Sequence, residues 1–229
     1  VGHPLLDEFA GDGNPVDPRQ NLKIPSSKRI VGLFPGSRQN EVRYMLETLV
    51  ASAKLIHASL PHVHFLVPIA NSLSKDEIQS RFPHDLPVSF IETNNISIYA
   101  VARNCNTILT VSGTVTLQIA LAGTPMAILY KASPLTYEIG KRLVRIDHFG
   151  LPNIVAGQRI VPEFLQEMAN PQALASEALH VLNDVNYADA MKNGLLMVQE
   201  KLGAPGCSTR VAAMLIDMLQ RQELSVSEN

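Results

Sequence analysis

Two short turns hold the residues whose types and spacing are best suited to chemistry. The sequence PGSR at 35–38 and the sequence SGT at 112–114 each follow an apolar run. Glycine lets a backbone approach a ligand closely, Ser37 can cap the next helix, and the guanidinium of Arg38 offers a planar fork for a phosphate. In the second turn a helix start would direct backbone N–H groups at an anion. The candidate phosphate-binding residues are therefore Arg38, Ser112, Gly113 and Thr114.

Each turn also has a purely structural interpretation. Arg38 can pair with Glu41 or Glu47 on the helix that follows, instead of binding a phosphate. The second turn can simply begin a helix without a ligand. Its place between two buried segments favours anion binding over that alternative.

Two amides near these turns are further candidates. Gln118 lies four residues beyond Thr114 and therefore on the same helix face, where its amide can reach a sugar hydroxyl or a neighbouring loop. Asn153 lies in an apolar segment, Leu151 to Gly157, that we interpret as a short loop. A polar side chain in such surroundings needs partners, which a ligand or the backbone can supply.

The basic side chains and the histidines give weaker indications of a binding site. Four cations gather around an amphipathic helix predicted over Pro134 to Arg145: Lys131, Lys141, Arg142 and Arg145. They could meet anionic lipid head groups or a substrate phosphate, although a solvated helix face is the favoured interpretation. Three histidines, His57, His62 and His64, have no carboxylate or cysteine at ligand spacing, so no metal site is predicted.

The elements that must position these residues alternate along the chain. Strands are predicted over 30–34, 64–69, 88–91, 107–111 and 125–130, with helices over 39–60, 75–81, 96–103 and 115–122 between them. This order predicts an α/β fold, a Rossmann-like doubly wound parallel sheet, with both turns at its ligand-binding edge. Four more helices are predicted over 162–168, 171–182, 187–202 and 208–219, after an irregular lead-in at 1–28.

Composition excludes several classes of protein. Of 229 residues, 46% are apolar and 17% are charged, which is typical of a globular chain, and a net charge of −2 argues against a nucleic-acid binder. Cys105 and Cys207 are far apart, so neither a disulfide framework nor a zinc site is expected, and a reducing cytoplasm fits. No signal peptide is recognised at the first residues. The uncharged stretch 104–130 contains polar residues and Pro125, which favours strand, helix and strand over a membrane span.

Five segments together resemble a known family. They are Val1 to Asp7, Leu33 to Arg38 with Glu41, Ser112 to Leu117, Pro125 to Lys131, and Leu151 to Gly157 with Val161-Pro-Glu163. In order and approximate spacing they are similar to the lipid-A-disaccharide synthases. The resemblance covers nearly the whole chain, and the combination is far more specific than any single segment.

The resemblance implies a fold and an activity. Members of this family have the GT-B glycosyltransferase architecture, two Rossmann-like halves with the active site between them. They transfer 2,3-diacylglucosamine from UDP-2,3-diacylglucosamine to 2,3-diacylglucosamine 1-phosphate, giving lipid A disaccharide and UDP. They work in the cytoplasm, peripheral to the inner membrane. No metal or redox cofactor is implied.

The resemblance also implies residue roles. Arg38 would lie near the donor diphosphate, and the turn at 112–114 at its phosphates, with Asn153 in the donor pocket. Position 118 is usually glutamate in this family, and in related transferases that carboxylate grips the ribose hydroxyls. The amide oxygen of Gln118 can still accept a hydrogen bond but carries no full negative charge, which predicts weaker binding of the ribose hydroxyls.

The length implies that this chain is the C-terminal, donor-binding half. The general base and much of the acceptor surface are expected in another half before Val1. Residues 1–28 would then be an interdomain segment, 29–182 the UDP-sugar-binding domain, and 183–229 helices that pack on the other half or on a partner subunit, as in a homodimer. The alternative is a non-catalytic remnant that binds a nucleotide or a partner, and a sugar-nucleotide epimerase fits the fold but not the segment 151–157.

Overall fold

All six strands run parallel in a single sheet. The computed structural model describes residues 1–12, 17–131 and 147–227, apart from the side chains of residues 40, 41 and 221–227. The strands are β1 (Arg29–Phe34), β2 (Val63–Ile69), β3 (Val88–Glu92), β4 (Thr107–Val111), β5 (Met126–Tyr130) and β6 (Glu163–Leu165). Their spatial order is β3-β2-β1-β4-β5-β6. The predicted Rossmann-like doubly wound sheet is therefore confirmed.

Helices occupy both faces of this sheet. They are α1 (Pro4–Gly11), α2 (Pro18–Asn21), α3 (Gln39–Ser59), α4 (Lys75–Gln79), α5 (Ile98–Arg103), α6 (Val115–Ala122), α7 (Leu151–Ala156), α8 (Pro171–Asn183), α9 (Val185–Leu202) and α10 (Cys207–Ser227). The helix predicted over Pro134 to Arg145 lies outside the described residues, and so do Lys141, Arg142 and Arg145.

Alternate residues of each central strand enter opposite cores. In β1, Ile30 and Phe34 belong to the core shared with α1, α5, α6 and α9, whereas Val31 and Leu33 belong to the core shared with α3, α4 and α8. All four side chains are at most 1% exposed. Two-sided burial explains why these strands read as continuous apolar runs rather than as alternating ones.

Three predicted segments differ in the structure. The lead-in is not irregular, because His3 and Asp17 cap α1 and α2 by accepting from the N–H groups two residues ahead, at 3.2 and 2.8 Å. The loop expected from Leu151 is instead the helix α7, with a proline in its first turn and Gly157 as its C-cap. The helix expected over residues 162–168 is β6 and a 3₁₀ turn, because this segment adds a sixth strand beside β5.

The uncharged stretch folds as the sequence predicts. It forms β4, α6 and β5, and Gly123 ends α6 with a φ of 72°. None of the helices in the described part of the chain has the length and apolar character that a membrane crossing requires.

The helix α9 is covered by this chain itself. It packs on α6, α7 and α8, and its inner face is buried, with Leu195 and Val198 fully enclosed. Gln199 Nε2 donates to the carbonyls of Ala120 and Leu121 at the end of α6, and Lys201 Nζ donates to Ala156 at the end of α7. The inner face of α9 is therefore covered within this chain, and the packing of the helices after Leu182 on another half or on a partner subunit stays a prediction.

The helix α10 is different, because its apolar side chains face solvent in this chain. The exposed ones are Val211, Met214, Leu215, Ile216, Met218 and Leu219, each between 39% and 66% exposed. We call this set the α10 stripe. An apolar surface of this kind is typical of a docking face.

One carboxylate fastens the beginning of α10 to α1. Asp7 accepts from the backbone N–H groups of Gly206, Cys207 and Ser208 and from the Ser208 hydroxyl. The N–H groups of Ser208 and Gly206 lower the pKa of Asp7 from 3.8 to about 2. Arg210 strengthens the same contact by donating from Nε to the Val1 carbonyl at 2.8 Å.

We predict that Asp7→Asn loosens the first turn of α10, because an amide cannot accept at both former carboxylate oxygens. Amide hydrogen exchange at Cys207 and Ser208 should accelerate, while Asp189→Asn, a surface change on α9, leaves it unchanged. The depressed pKa stabilises the fold above pH 3.8, and this contribution is lost as the pH falls through about 2. Denaturant midpoints for wild type and Asp7→Asn should therefore differ at pH 6 and converge near pH 2; equal midpoints at pH 6 would contradict the role of Asp7.

Candidate functional site

A cleft of about 480 Å³ opens at the carboxyl edge of the sheet. Segments that follow β1, β2, β3 and β4 line it, together with the beginning of α6. The lining residues are Phe34, Pro35, Gly36, Ser37, Arg38, Pro68, Ala70, Thr93, Ile98, Val111, Ser112, Gly113, Thr114, Val115 and Gln118. Five of the six residues proposed from the sequence therefore lie around one cavity, which has the size of a small-ligand site.

The turn after β1 brings Arg38 to this cleft. Gly36 has a φ of 94°, a conformation that favours glycine, and this lets the chain turn sharply off the strand. Ser37 does not cap α3 as expected: the N-cap is Arg38, without a side-chain cap, and the Ser37 carbonyl instead accepts from the Ser72 hydroxyl at 2.6 Å. The amino end of the 21-residue α3 thus begins beside the cleft.

The charges around the cleft favour an anion. Arg38 is the single charged side chain among the described lining residues. Glu47, one of its two alternative partners in the sequence analysis, lies 3.8 Å from Arg81, and the side chain of Glu41, the other, is outside the described ones. The amino ends of α3 and α6 add positive potential from two directions.

Backbone N–H groups at the start of α6 complete this arrangement. Within the described residues, the N–H groups of Gly113, Thr114 and Val115 have no acceptor, because the first bonds of the helix run from Thr116 and Leu117 back to Gly113 and Thr114. Three adjacent donors at a helix amino end match the oxygens of a phosphate.

Ser112 plays a different part from the other two residues of its turn. Its N–H donates to the Leu129 carbonyl at 3.1 Å, and its hydroxyl donates to the Phe149 carbonyl at 3.3 Å. Both donors are therefore engaged within the protein. Ser112 fixes the turn between β5 and the beginning of α7, and only its hydroxyl lone pairs remain for a ligand.

Gln118 lines the cleft one turn into α6, and α6 packs on α5, which carries Tyr99. Tyr99 is 4% exposed, and its hydroxyl reaches the Leu5 carbonyl and Glu8 of α1. No sequence motif points to Tyr99, which falls in a helix of six residues.

Asn153 does not line the cleft. It is fully buried and makes four hydrogen bonds: its Oδ1 accepts from Ile160 and Val161, and its Nδ2 donates to the Val161 carbonyl and to Glu163. The partners left open by the sequence are thus the backbone and a carboxylate. A direct ligand contact has no free donor or acceptor to use in this arrangement.

Glu163 links Asn153 to the cleft. Besides the Asn153 amide at 2.7 Å, its carboxylate accepts from the N–H groups of Phe149 and Gly150 at 3.1 and 2.9 Å. A Cβ on Gly150 would lie 2.5 Å from Ile128 Cδ1 and 2.8 Å from Glu163 Oε1, so any larger residue would displace these side chains. The network holds Phe149, the acceptor for Ser112. Glu163 belongs to the sequence motif Val161-Pro-Glu163, but no role was predicted for it.

The remaining candidates lie apart from the cleft. Lys131 donates to the Thr48 hydroxyl at 2.8 Å. His64 bonds Ser89 at 2.9 Å, and burial, followed by Lys28 and Arg19, lowers its pKa. No group of three or more metal-ligating side chains occurs among the residues whose positions are described.

Sequence comparisons identify close relatives. The family model described as lipid-A-disaccharide synthetase matches residues 1–216. The chain is 44% identical to the lipid-A-disaccharide synthase of Syntrophotalea carbinolica over 95% of its own length, and 43% identical to that of Geobacter sulfurreducens over 97%. It spans 55% and 57% of the lengths of these two relatives.

Solved structures show the same architecture at low identity. UDP-GlcNAc 2-epimerase from Neisseria meningitidis, bound to UDP-GlcNAc, matches with a TM-score of 0.66 at 14% identity, over 94% of this chain and 54% of the epimerase. The spinosyn rhamnosyltransferase SpnG, complexed with thymidine diphosphate, matches with a TM-score of 0.53 at 16% identity, over 76% of this chain and 42% of the transferase. The fold is thus that of GT-B glycosyltransferases and related epimerases.

We predict that Asn153→Ala destabilises the fold rather than removing a ligand contact. The free energy of unfolding should fall by about 3 kcal/mol, because two buried N–H groups at roughly 1–3 kcal/mol each lose their acceptor. Urea denaturation measures this loss. The control is Asn183→Ala, an exposed amide that accepts from Arg29 at 3.2 Å and should cost little; equal midpoints for both variants would refute the role of the buried amide.

Proposed function

Because this chain belongs to the lipid-A-disaccharide synthetase family, we propose that it is the donor-binding half of a glycosyltransferase of lipid A biosynthesis. The reaction would transfer 2,3-diacylglucosamine from UDP-2,3-diacylglucosamine to 2,3-diacylglucosamine 1-phosphate, with release of UDP. The other candidate ligands, a lone phosphate or an uncharged sugar, make less use of the site.

The observation that carries this proposal is the meeting of two turns at one cleft. The cavity of about 480 Å³ is surrounded by Arg38 and by three N–H groups, those of Gly113, Thr114 and Val115, that have no acceptor within the part of the chain that the structure describes. A diphosphate has enough anionic oxygens to engage a guanidinium and a helix amino end together. Gln118, about one helical turn further in, is placed to meet a ribose hydroxyl.

These donors would act on the departing group. When the bond between the anomeric carbon and the diphosphate breaks, negative charge grows on the diphosphate oxygens. Arg38 and the amino end of α6 already lie at the cleft before the reaction, so they can stabilise that charge as it develops. The developing UDP is therefore held more strongly than the intact donor.

The rest of the reaction needs groups beyond the described cleft. Since the chain spans 55% to 57% of its first two relatives, we assign the general base and much of the acceptor surface to another half. The α10 stripe is the surface that this half, or a partner subunit, would cover. Work on acylated substrates would place the assembled enzyme in the cytoplasm at the inner membrane.

A second candidate function follows from Gln118. A carboxylate at this position would accept charge-assisted hydrogen bonds from the ribose hydroxyls, whereas the neutral amide would accept a weaker, uncharged one. This favours a non-catalytic module that binds a nucleotide or a partner. Turnover separates this candidate from the transferase.

We predict that the chain binds UDP. The substitution Arg38→Ala should lower the affinity for UDP by about tenfold, as expected for the loss of a charge-assisted hydrogen bond. Uridine, which lacks the diphosphate, should be affected much less. Isothermal titration calorimetry with both ligands measures the difference. Arg43→Ala removes an equal charge from the exposed face of α3 and serves as the control.

Two results would count against this prediction. Absence of saturable heat at millimolar UDP with the wild-type chain would overturn the proposed function. If Arg38→Ala weakened the binding of UDP and of uridine equally, Arg38 would not contact the phosphates, although the proposal of nucleotide binding would stand.

We also predict that disaccharide forms only when the chain is combined with a separately expressed first half from a full-length relative. The chain alone should bind UDP without turnover, because the general base is supplied by the added half. Product can be followed by chromatography of radiolabelled acceptor. Failure of the combined halves, shown to associate, would favour the non-catalytic module, and product from the chain alone would refute the need for another half.

A further inference from the structure

A serine hydroxyl joins the turn at residues 35–38 to the segment that follows β2. Ser72 Oγ donates a hydrogen bond to the Ser37 carbonyl at 2.6 Å, although 35 positions separate the two residues. This distance is within the range of a good bond between a hydroxyl and an oxygen acceptor. Both residues are exposed, so the contact lies at the surface, beside the cleft that Ser37 lines.

This hydrogen bond acts on the peptide group that leads into Arg38. The Ser37 carbonyl and the Arg38 N–H belong to one planar peptide group, so holding the carbonyl restrains the direction in which Arg38 leaves the turn. A restraint matters at this position, because Gly36 has a φ of 94° and glycine gives the backbone more freedom than any other residue. Ser72 therefore restrains the turn from outside, at the residue before Arg38.

The position of Ser72 is set by a turn of its own. The Leu73 N–H donates to the Ala70 carbonyl at 2.9 Å, so Ser72 occupies the third position of a hydrogen-bonded turn. Two residues after Ser72, the hydroxyl of Ser74 caps α4 by accepting from the Glu77 N–H at 3.3 Å. The Ser72 hydroxyl is thus presented from a backbone that is hydrogen-bonded on both sides.

Two further contacts join this segment to the end of β3. The Ile69 carbonyl accepts from both the N–H and the hydroxyl of Thr93, at 3.1 and 3.3 Å, and Thr93 lines the cleft. Lys75 Nζ lies 2.9 Å from Glu92 Oε1. The segments after β1, β2 and β3 are therefore connected in series, and Ser72 makes the connection to the first of them.

We infer that Ser72 is a positioning residue that holds the turn at residues 35–38 so that the Arg38 guanidinium meets the diphosphate of the nucleotide. This inference rests on the proposed binding of UDP. Ser72 is not among the residues that line the cleft, so it acts through the Ser37 carbonyl and not by touching the ligand. A turn that is restrained beforehand loses less conformational freedom when the diphosphate binds.

The exposure of this hydrogen bond separates positioning from stability. Water can replace either partner at the surface, so the loss of the Ser72 hydroxyl leaves no buried group unsatisfied. The fold should therefore tolerate the loss, whereas the affinity for a diphosphate should not. A residue with only a structural role would affect UDP and uridine alike.

The test is Ser72→Ala, which removes the hydroxyl and retains the backbone turn. Affinities for UDP and uridine are measured by calorimetry, and urea denaturation checks that the variant folds. Ser72→Ala should lower the affinity for UDP about threefold, within the range of about twofold to tenfold that one net hydrogen bond contributes. Uridine should be affected much less. Ser72→Thr keeps a hydroxyl and should bind UDP as the wild type does.

The matched control is Ser80→Ala at the end of α4. Ser80 is also exposed, and its hydroxyl also donates to a backbone carbonyl, that of Glu77 at 2.8 Å, but it does not contact the turn at residues 35–38. This variant should keep the wild-type affinity for UDP. In an Arg38→Ala background, which lacks the guanidinium, Ser72→Ala should have no further effect on UDP.

The outcomes separate this inference from the proposal beneath it. If wild type binds UDP but Ser72→Ala binds it equally well, or weakens UDP and uridine alike, the positioning role is refuted and UDP binding stands. The role is also refuted if Ser72→Thr fails to restore the affinity, if Ser80→Ala loses as much, or if the loss persists in the Arg38→Ala background. If wild type does not bind UDP, the proposed function falls and takes this inference with it.

Discussion

The common direction of the six strands is the constraint on which the cleft depends. In a parallel sheet all carboxyl ends meet one edge, so the turns after β1 and β4 cannot lie at opposite ends. These two strands are also direct neighbours, with Phe34 beside Thr110 in the register. The turn of Arg38 and the turn of Gly113 are therefore adjacent, although more than 70 positions separate them in the sequence.

Hydrogen bonds hold the carboxyl ends of two neighbouring helices, α6 and α7. Gln199 and Lys201 of α9 satisfy the last carbonyls of α6 and α7, so the carboxyl ends of both helices are tied to one neighbour. At the other end of α7, Glu163 accepts from the N–H groups of Phe149 and of the N-cap Gly150, which places a negative charge at the positive pole of this helix. The amino end of α6 has no such carboxylate among the described residues. The protein thus leaves that pole available to an anion.

The sequence predicts the strands and helices that are determined by residues close to each other along the chain. The apolar runs and Gly123 predict β4, α6 and β5, and a sheet with its turns at one edge follows from their order. The helix α7 was missed because six residues show too little periodicity, and β6 because its three residues are strand only beside β5. Asn153 could not be placed from sequence, since its partner Glu163 reaches it through tertiary folding.

The electrostatic balance of the cleft follows from these distant contacts. Ser112 has no donor left for a phosphate, so attraction of an anion falls to Arg38 and to the N–H groups after Ser112. A carboxylate at position 118 would lie one helical turn from those groups and would partly offset their attraction for an anion, because it would repel a phosphate bound there. The neutral Gln118 gives up charge assistance towards a hydroxyl and removes that opposition. Its value as an acceptor then depends on the orientation of its amide alone.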